Sequence, residues 1–205
     1  MVFTAIVLAG GLSRRMGRPK QQLVYQGRTM LRHVVENLLL SSVERIIVVL
    51  GYEADAAAAS LTNLPITLVC NPDFATGLSS SLRRGLSALA AEVESGKKPV
   101  ALDGPEAVLF ALGDQPLIKP DTYAAILAAH QVGKIIVPYY AGQRGNPVLI
   151  DRLFLPELAH LQGDVGARAL LRLHPEAVLP IELDDKGIVQ DIDTWQDYQL
   201  LLDEQ

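Results

Sequence analysis

Short apolar runs alternate along this chain with segments whose apolar residues recur every three or four positions. The runs are Val2 to Leu8, Arg45 to Leu50, Ile66 to Cys70, Ala107 to Leu112, Lys134 to Pro138 and Val178 to Leu183. Each has the length of a strand, and near-continuous apolar character marks strands covered on both faces. Between them, Thr29 to Leu40 places Met30, Leu31, Val34, Val35, Leu38 and Leu39 on one helical face. Glu53 to Leu61 is an alanine-rich helix, and a further helix carries Leu82, Leu86 and Leu89 on one side. Asp121 to His130 lies between Pro120 and Gly133, a start and a stop signal; Leu153 to Leu161 and Ala167 to Leu173 also read as helical. Tyr139 to Ile150 reads as a hairpin or extended excursion turning at Gly142 and Gly145. Strand, helix and strand in alternation predict an α/β fold, with a mostly parallel central sheet and helices on both faces.

Chemistry concentrates where these runs end. Val2 to Leu8 feeds Gly10-Gly11, and the loop behind it carries Ser13, Arg14, Arg15, Gly17, Arg18 and Lys20, with Pro19 stiffening the backbone before the lysine. Glycines let the main chain turn and present N–H groups to an anion while the cations supply charge, so the loop suits a triphosphate. A glycine-rich turn with solvated basic residues is the bland reading of the same stretch. Neither GxxxxGK[ST] nor GxGxxG is present, so the P-loop and dinucleotide-binding fingerprints are both missing. Ala107 to Leu112 runs into Gly113-Asp114-Gln115-Pro116, which puts a carboxylate just past the carboxyl end of a strand, where open α/β sheets bind ligands. Aspartate there suits a hard cation such as Mg²⁺, or simply caps the next segment. Asn71 to Leu86 reads NPDFATGLSSSLRRGL, a turn followed by serines that cap a helix without needing a ligand.

These residues together resemble the molybdopterin nucleotidyltransferases, relatives of the sugar-nucleotide pyrophosphorylases. The resemblance rests on Leu8-Ala9-Gly10-Gly11, Arg15-Met16-Gly17, Pro19-Lys20, the Asn71-Pro72…Gly77…Ser81-Leu82 segment, Gly113-Asp114-Gln115-Pro116 and Asp191-Ile192-Asp193-Thr194. It implies one Rossmann-like nucleotidyltransferase domain over residues 1–205. In that family the first loop wraps a nucleoside triphosphate, which brings Leu8, Ala9, Gly10, Gly11 and Ser13 to the nucleotide and sets Arg15 and Lys20 on its phosphates. Gly77 and Ser81 match contacts to base and sugar, and Asp114 and Asp193 match the ligands of the catalytic Mg²⁺. Asp191, one strand alternation from Asp193, is expected to face the other side of the sheet. On the acceptor side the match is partial: cytidylyl members read P-G-H-P where this chain has Arg144-Gly145-Asn146-Pro147. Arg168, in a G-D-x-G-A-R segment, matches a position near the second substrate, although a helical arginine is more often a surface charge. Trp195 and Gln196 replace the proline and glutamate that relatives carry after D-I-D-T.

The resemblance implies Mg²⁺-dependent transfer of a nucleoside monophosphate to the terminal phosphate of molybdopterin. R-M-G-x-P-K without an aspartate before the lysine, together with G-D-Q-P and D-I-D-T, sides with the cytidylyl members and CTP. Gly10, in the L-A-G-G form, points to the guanylyl members and GTP. An apo-molybdoenzyme is the implied recipient of the product. Two other classes stay open: a handover factor that binds cofactor without transfer, and a dehydrogenase-like cofactor binder on a similar sheet. Composition narrows the partners. A net charge of -5 over 205 residues argues against a nucleic-acid groove or an anionic membrane. A single cysteine, Cys70, forms no internal disulfide, and Val2 to Ala9 is too short to span a bilayer and lacks the basic flank of a signal peptide, so a cytoplasmic protein is expected. His33, His130, His160 and His174 are scattered and form no HExxH, and no serine stands in G-x-S-x-G. Ser95 to Pro105 is read as a surface loop without chemistry.

Overall fold

The computed structural model describes residues 1–11, 16–17, 19–94, 104–163 and 166–203. Its strands are β1 (Phe3–Ala9), β2 (Val24–Tyr25), β3 (Arg28–Thr29), β4 (Arg45–Leu50), β5 (Thr67–Cys70), β6 (Ala107–Leu112), β7 (Ile135–Tyr140), β8 (Gln143–Arg144), β9 (Val148–Asp151) and β10 (Val178–Glu182). The α-helices are α1 (Met30–Leu39), α2 (Ala54–Ser60), α3 (Leu78–Glu94), α4 (Pro120–Ala128), α5 (Leu155–Leu158), α6 (Arg168–Leu173) and α7 (Trp195–Asp203). The main sheet runs β10-β7-β9-β6-β1-β4-β5, with β8 paired to β7. β1 lies parallel to both β4 and β6, and β5 continues parallel beyond β4. β9 is antiparallel to both its neighbours, so the sheet is parallel at its centre and mixed toward one edge.

The expected two-sided burial is explicit in the side-chain alternation. Ala5, Val7 and Ala9 of β1 join Ile46, Val48 and Leu50 of β4 in one layer, against Leu31, Val34 and Val35 of α1 and Tyr123 and Ile126 of α4. Ile6, Leu8, Ile47 and Val49 face the opposite way, toward Leu82 and Leu89 of α3, Leu158 and Leu170. Gly85 lets α3 lie close on this face, since a Cβ there would stand 2.6 Å from Ile6 Cγ2. A third small cluster (Tyr25, Met30, Ile192 and Leu201) seats α7 against the β2–β3 hairpin, a pairing the apolar pattern does not predict because each strand has only two residues.

Two expectations change, and a third lies largely outside the described residues. Leu153 to Leu161 is one 3₁₀ turn, Arg152–Phe154, followed by the single-turn α5; Pro156, in the first turn of α5, has no N–H to bond back to Arg152 O, which separates the two pieces. Ile188 lies in a 3₁₀ turn, Lys186–Val189, and residues 190–194 belong to no strand, so the alternation argument for Asp191 has no strand to act on. The loop expectation for Ser95 to Pro105 falls outside the described residues up to position 103.

Candidate active site

β1, β4, β5 and β6 all end on one side of the sheet, and the turns that leave them converge. Leu8 and Ala9 are buried as part of β1, Gly10 is buried at its end, and Gly11 is exposed. Gly113 N–H donates to Leu8 O at 3.1 Å, which docks the turn after β6 onto the end of β1. Gly10 and Gly51, the residues after β1 and β4, pass so closely that a Cβ on Gly51 would sit 2.7 Å from Gly10 O. Ser13 and Arg15 lie outside the described residues, so the structure positions the two ends of the first loop and not its middle.

On one side of Gly10 stands the start of α3. Asn71, buried after β5, donates from Nδ2 to Ser80 Oγ at 2.9 Å and to Ser81 Oγ at 3.0 Å. Its Oδ1 accepts from Asp73 N at 3.0 Å, the local bond that an Asn-Pro-Asp turn offers. Ser80 Oγ in turn donates to Gly77 O at 2.8 Å, and Gly77 takes φ 115°, a conformation glycine adopts without steric cost. Ser81 is thus held against the first loop, with Oγ 2.9 Å from where a Cβ on Gly10 would be. Asn71 is the residue the sequence reading missed as an organiser; the signal was present, because Asn before Pro-Asp is an Asx-turn former.

On the other side lies an ion-paired centre. Pro19 is extended, and Lys20 opens a 3₁₀ turn, Lys20–Gln22. Lys20 Nζ donates to Asp193 Oδ1 at 2.6 Å and forms a still closer ion pair with Asp114 Oδ2. Burial works against the ammonium, but the charges and hydrogen bonds of Asp114 and Asp193 together outweigh it and hold the Lys20 pKa above its ordinary value. The two aspartates meet because their segments are stitched by the backbone. Ile192 N donates to Asp114 O at 3.2 Å, and Gln115, fully buried, donates from Nε2 to Ile188 O at 3.1 Å and to Asp191 Oδ1 at 2.8 Å. Asp185, also buried, accepts from Lys119 N at 2.9 Å and Thr122 Oγ1 at 2.6 Å, fixing the 3₁₀ turn against the start of α4.

Thr194 and Asp197 form a capping box at the start of α7. Thr194 Oγ1 accepts from Asp197 N at 3.2 Å, and Asp197 Oδ2 accepts from Thr194 N at 2.8 Å and Asp193 N at 3.1 Å. Asp193 therefore points from a fixed helix start. Asp191 shares its neighbourhood. Burial first, then the charges of Asp114 and Asp193, raise its pKa, while Lys20 and the Gln115 hydrogen bond pull it down. The expectation that Asp191 faces away is thus corrected: its carboxyl group is turned in beside the carboxylate pair, although the residue as a whole keeps much of its surface open to water.

The acceptor-side residues divide. Asn146 N donates to the same Ile188 O, at 2.9 Å, that Gln115 contacts, and a Cβ on Gly145 would meet that oxygen at 2.6 Å, so Gly145-Asn146 abuts the Asp114 turn. Arg144 is exposed on β8. Arg168 is exposed at the first position of α6, and the preceding Gly166 packs on Leu78 at the start of α3, so this segment is attached to the serine side of the site. Among the described residues no group of three or more His, Cys, Asp and Glu is arranged to hold a metal ion. Asp114 and Asp193 nevertheless fit a hard cation, since one oxygen from each converges on a single cationic atom. Mg²⁺ characteristically takes one or two carboxylates and completes its shell with phosphates and water.

A sheet parallel at its centre, at whose carboxyl edge a glycine turn, a lysine and two carboxylates are gathered, has the layout of an α/β protein that handles a phosphorylated nucleotide. The chain belongs to the MobA-like NTP transferase family, whose domain model matches residues 5–178. It is 32% identical to a nicotine blue oxidoreductase of Paenarthrobacter nicotinovorans, over 97% of this chain and 96% of that one. It is 28% identical to the molybdenum cofactor cytidylyltransferase of Escherichia coli K12, over 94% and 92% of the two chains. With the molybdenum cofactor guanylyltransferase of Rhizobium meliloti it shares 38% identity, over 68% of this chain and 58% of that one. The crystal structure of Rv0371c from Mycobacterium tuberculosis H37Rv superposes with a TM-score of 0.81 at 30% identity, covering 98% and 97% of the chains. A second structure of that protein, described as a complex with manganese, gives 0.77 at 28% identity with full coverage of both.

Proposed function

We propose that the protein transfers the cytidylyl group of CTP to the terminal phosphate of a molybdopterin-type cofactor and releases pyrophosphate. The observation that carries this reading is the Lys20 ammonium set between Asp114 and Asp193 at the end of a glycine turn. GTP on the same acceptor is the alternative that Gly10 favours. Leu8 to Gly11 and Ser13 would line the nucleotide, with Gly77 and Ser81 beside base and sugar. Lys20 and Arg15 offset the charge that grows on the phosphates as the bond to pyrophosphate breaks. Asp114 and Asp193 would hold Mg²⁺, which supplies further charge neutralisation at the reacting phosphate when bound. Arg144, Gly145, Asn146 and Arg168 would meet the anionic acceptor. A phosphate monoester, with a second pKa of about 6, is mostly dianionic at pH 7, so attack needs no general base. Positioning and electrostatics then carry the rate. A cytoplasmic location and delivery of the product to an apo-molybdoenzyme complete the proposal; among the described residues no helix is long and apolar enough to cross a membrane.

The test is pyrophosphate release with CTP, GTP, ATP and UTP, each with and without molybdopterin. Release with CTP that requires molybdopterin supports the reading, and no release with any nucleotide refutes it. One observation favours a second reading: the relative matched at 32% identity is named an oxidoreductase. Hydride transfer has no evident use for two carboxylates gathered on a lysine. Oxidation of NADH or NADPH with a conjugated heterocycle as acceptor, unaffected by Asp114→Asn, would favour that class instead.

A further inference from the structure

We infer that Lys20 is an exchangeable internal cation: its ammonium fills the place of a divalent metal between Asp114 and Asp193 and must leave that place for a metal to bind, a step that an incoming triphosphate favours by offering the ammonium new anionic partners. Metal and nucleotide then load together. This rests on the reading of Asp114 and Asp193 as the metal ligands.

The geometry leaves one position for one cation. Asp114 Oδ2 and Asp193 Oδ1 come from segments far apart in the chain and both contact the same Nζ. All three side chains are largely shielded, with exposures of 14% for Lys20, 13% for Asp114 and 28% for Asp193, so water screens the cluster poorly. A divalent ion bound to those two oxygens would lie within a few ångströms of the ammonium, and two cations so close repel strongly in a shielded site. Occupancy is therefore exclusive. Asp191 adds a third carboxylate nearby, held by Gln115, so the cluster stays anionic overall and favours replacing a single charge by a double one.

The exchange needs no backbone rearrangement. Gln22 N donates to Pro19 O and Leu23 N to Lys20 O, both at 3.1 Å, and these bonds fix the turn that bears Lys20. Its flexible four-carbon stem carries the charge from the carboxylates to a phosphate, which replaces the anionic partners it leaves. Metal arriving with a triphosphate displaces it onto the phosphates.

Two measurements test this. The first is Mn²⁺ binding without nucleotide, read from loss of the free-ion electron paramagnetic resonance signal. Lys20→Met is expected to bind Mn²⁺ at least tenfold more tightly than wild type, whereas Lys20→Arg, which keeps the charge, stays near wild type. Lys20→Met within twofold of wild type, or Lys20→Arg as tight as Lys20→Met, overturns the inference. The second uses the wild-type protein and does not depend on a variant that folds. Saturating Mn²⁺ is expected to raise pulse acetylation of Lys20 several-fold by mass spectrometry, with Lys186 as reference; unchanged labelling at saturation overturns it. Asp114→Asn separates the two levels. If Mn²⁺ binds this variant as tightly as wild type, the metal reading fails; if binding is lost while Lys20→Met shows no gain, only the exchange fails.

Discussion

Gly10→Ala separates a steric effect from a backbone one and bears on base choice. The new Cβ would stand 2.9 Å from Ser81 Oγ and 3.7 Å from Gly51 Cα. The first distance is about half an ångström inside ordinary van der Waals contact, and the second is comfortable. Ser81 Oγ must therefore move, and it is held by Asn71 Nδ2 at 3.0 Å. Losing that bond costs roughly 0.5–1.5 kcal/mol. Against this, Gly10 is not among the positive-φ glycines, so alanine fits its backbone and stiffens the unfolded chain, a gain of about 0.4–1 kcal/mol. The two nearly cancel, and stability of the single variant decides little. A double-mutant cycle does decide. In a Ser81→Ala background the clash is gone and Gly10→Ala should simply stabilise, leaving a coupling of about 0.5–1.5 kcal/mol between the sites. Urea unfolding of the four proteins measures it, and a coupling below about 0.3 kcal/mol would refute the contact. The same proteins test the base. A preference for CTP over GTP in kcat/KM should persist in Gly10→Ala, and a wild-type preference for GTP that this variant loses would show that the glycine selects a purine.

Asp114→Asn and Asp193→Asn should each cut turnover by two orders of magnitude or more with the fold retained, and Asp191→Asn far less; steady-state rates in Mg²⁺ give the ranking. Lys20→Ala should lower kcat more than it raises KM for CTP, and a raised KM at unchanged kcat would make Lys20 a ground-state binder. Asp191 has a folded pKa above 3.8, so the folded state holds its proton longer than the unfolded one and stability falls as pH rises through that interval. Asp191→Asn should therefore raise Tm at pH 7, with the gain shrinking toward pH 3.8; a lowered Tm at pH 7 contradicts this sign. Trp195→Phe removes the indole N–H bond to Met16 O at 3.1 Å and should raise KM for CTP severalfold, as the first loop loses an anchor. Because Trp195 is the sole tryptophan, nucleotide binding should also shift wild-type emission.

The central sheet was legible because its strands are buried on both faces and stand out as apolar runs, as in Arg45 to Leu50. Asp114 and Lys20 were singled out because each closes a local string of recognisable residues, and the structure brings the two side chains into contact. What stayed hidden is non-local. Nothing near Asp191 in the sequence says that Gln115, 76 positions earlier, donates a hydrogen bond to it. The β2–β3 hairpin, two residues per strand, is too short to leave a period. The Leu153 to Leu161 helix forms as two short pieces for a local reason, since Pro156 has no N–H to join the 3₁₀ turn to α5.

Trp195 stands where the family resemblance leads one to expect proline. Proline at that position would pre-set the first turn of α7, and tryptophan gives up that bias. The capping box of Thr194 and Asp197 already satisfies the helix start, so the proline is dispensable for aiming Asp193. In exchange, the indole reaches Met16 O, 179 positions away, while Tyr198 OH donates to Val24 O at 2.5 Å, 174 positions away. Both bonds flank the Lys20 contact to Asp193, which itself spans 173 positions. The stretch from Met16 to Val24 and the start of α7 are thus joined at three places. Polar bonds on either side of the ion pair can keep the two segments in register while Lys20 changes partner. Trp195→Phe should accordingly weaken nucleotide binding without unfolding the sheet, whose strands do not depend on that bond.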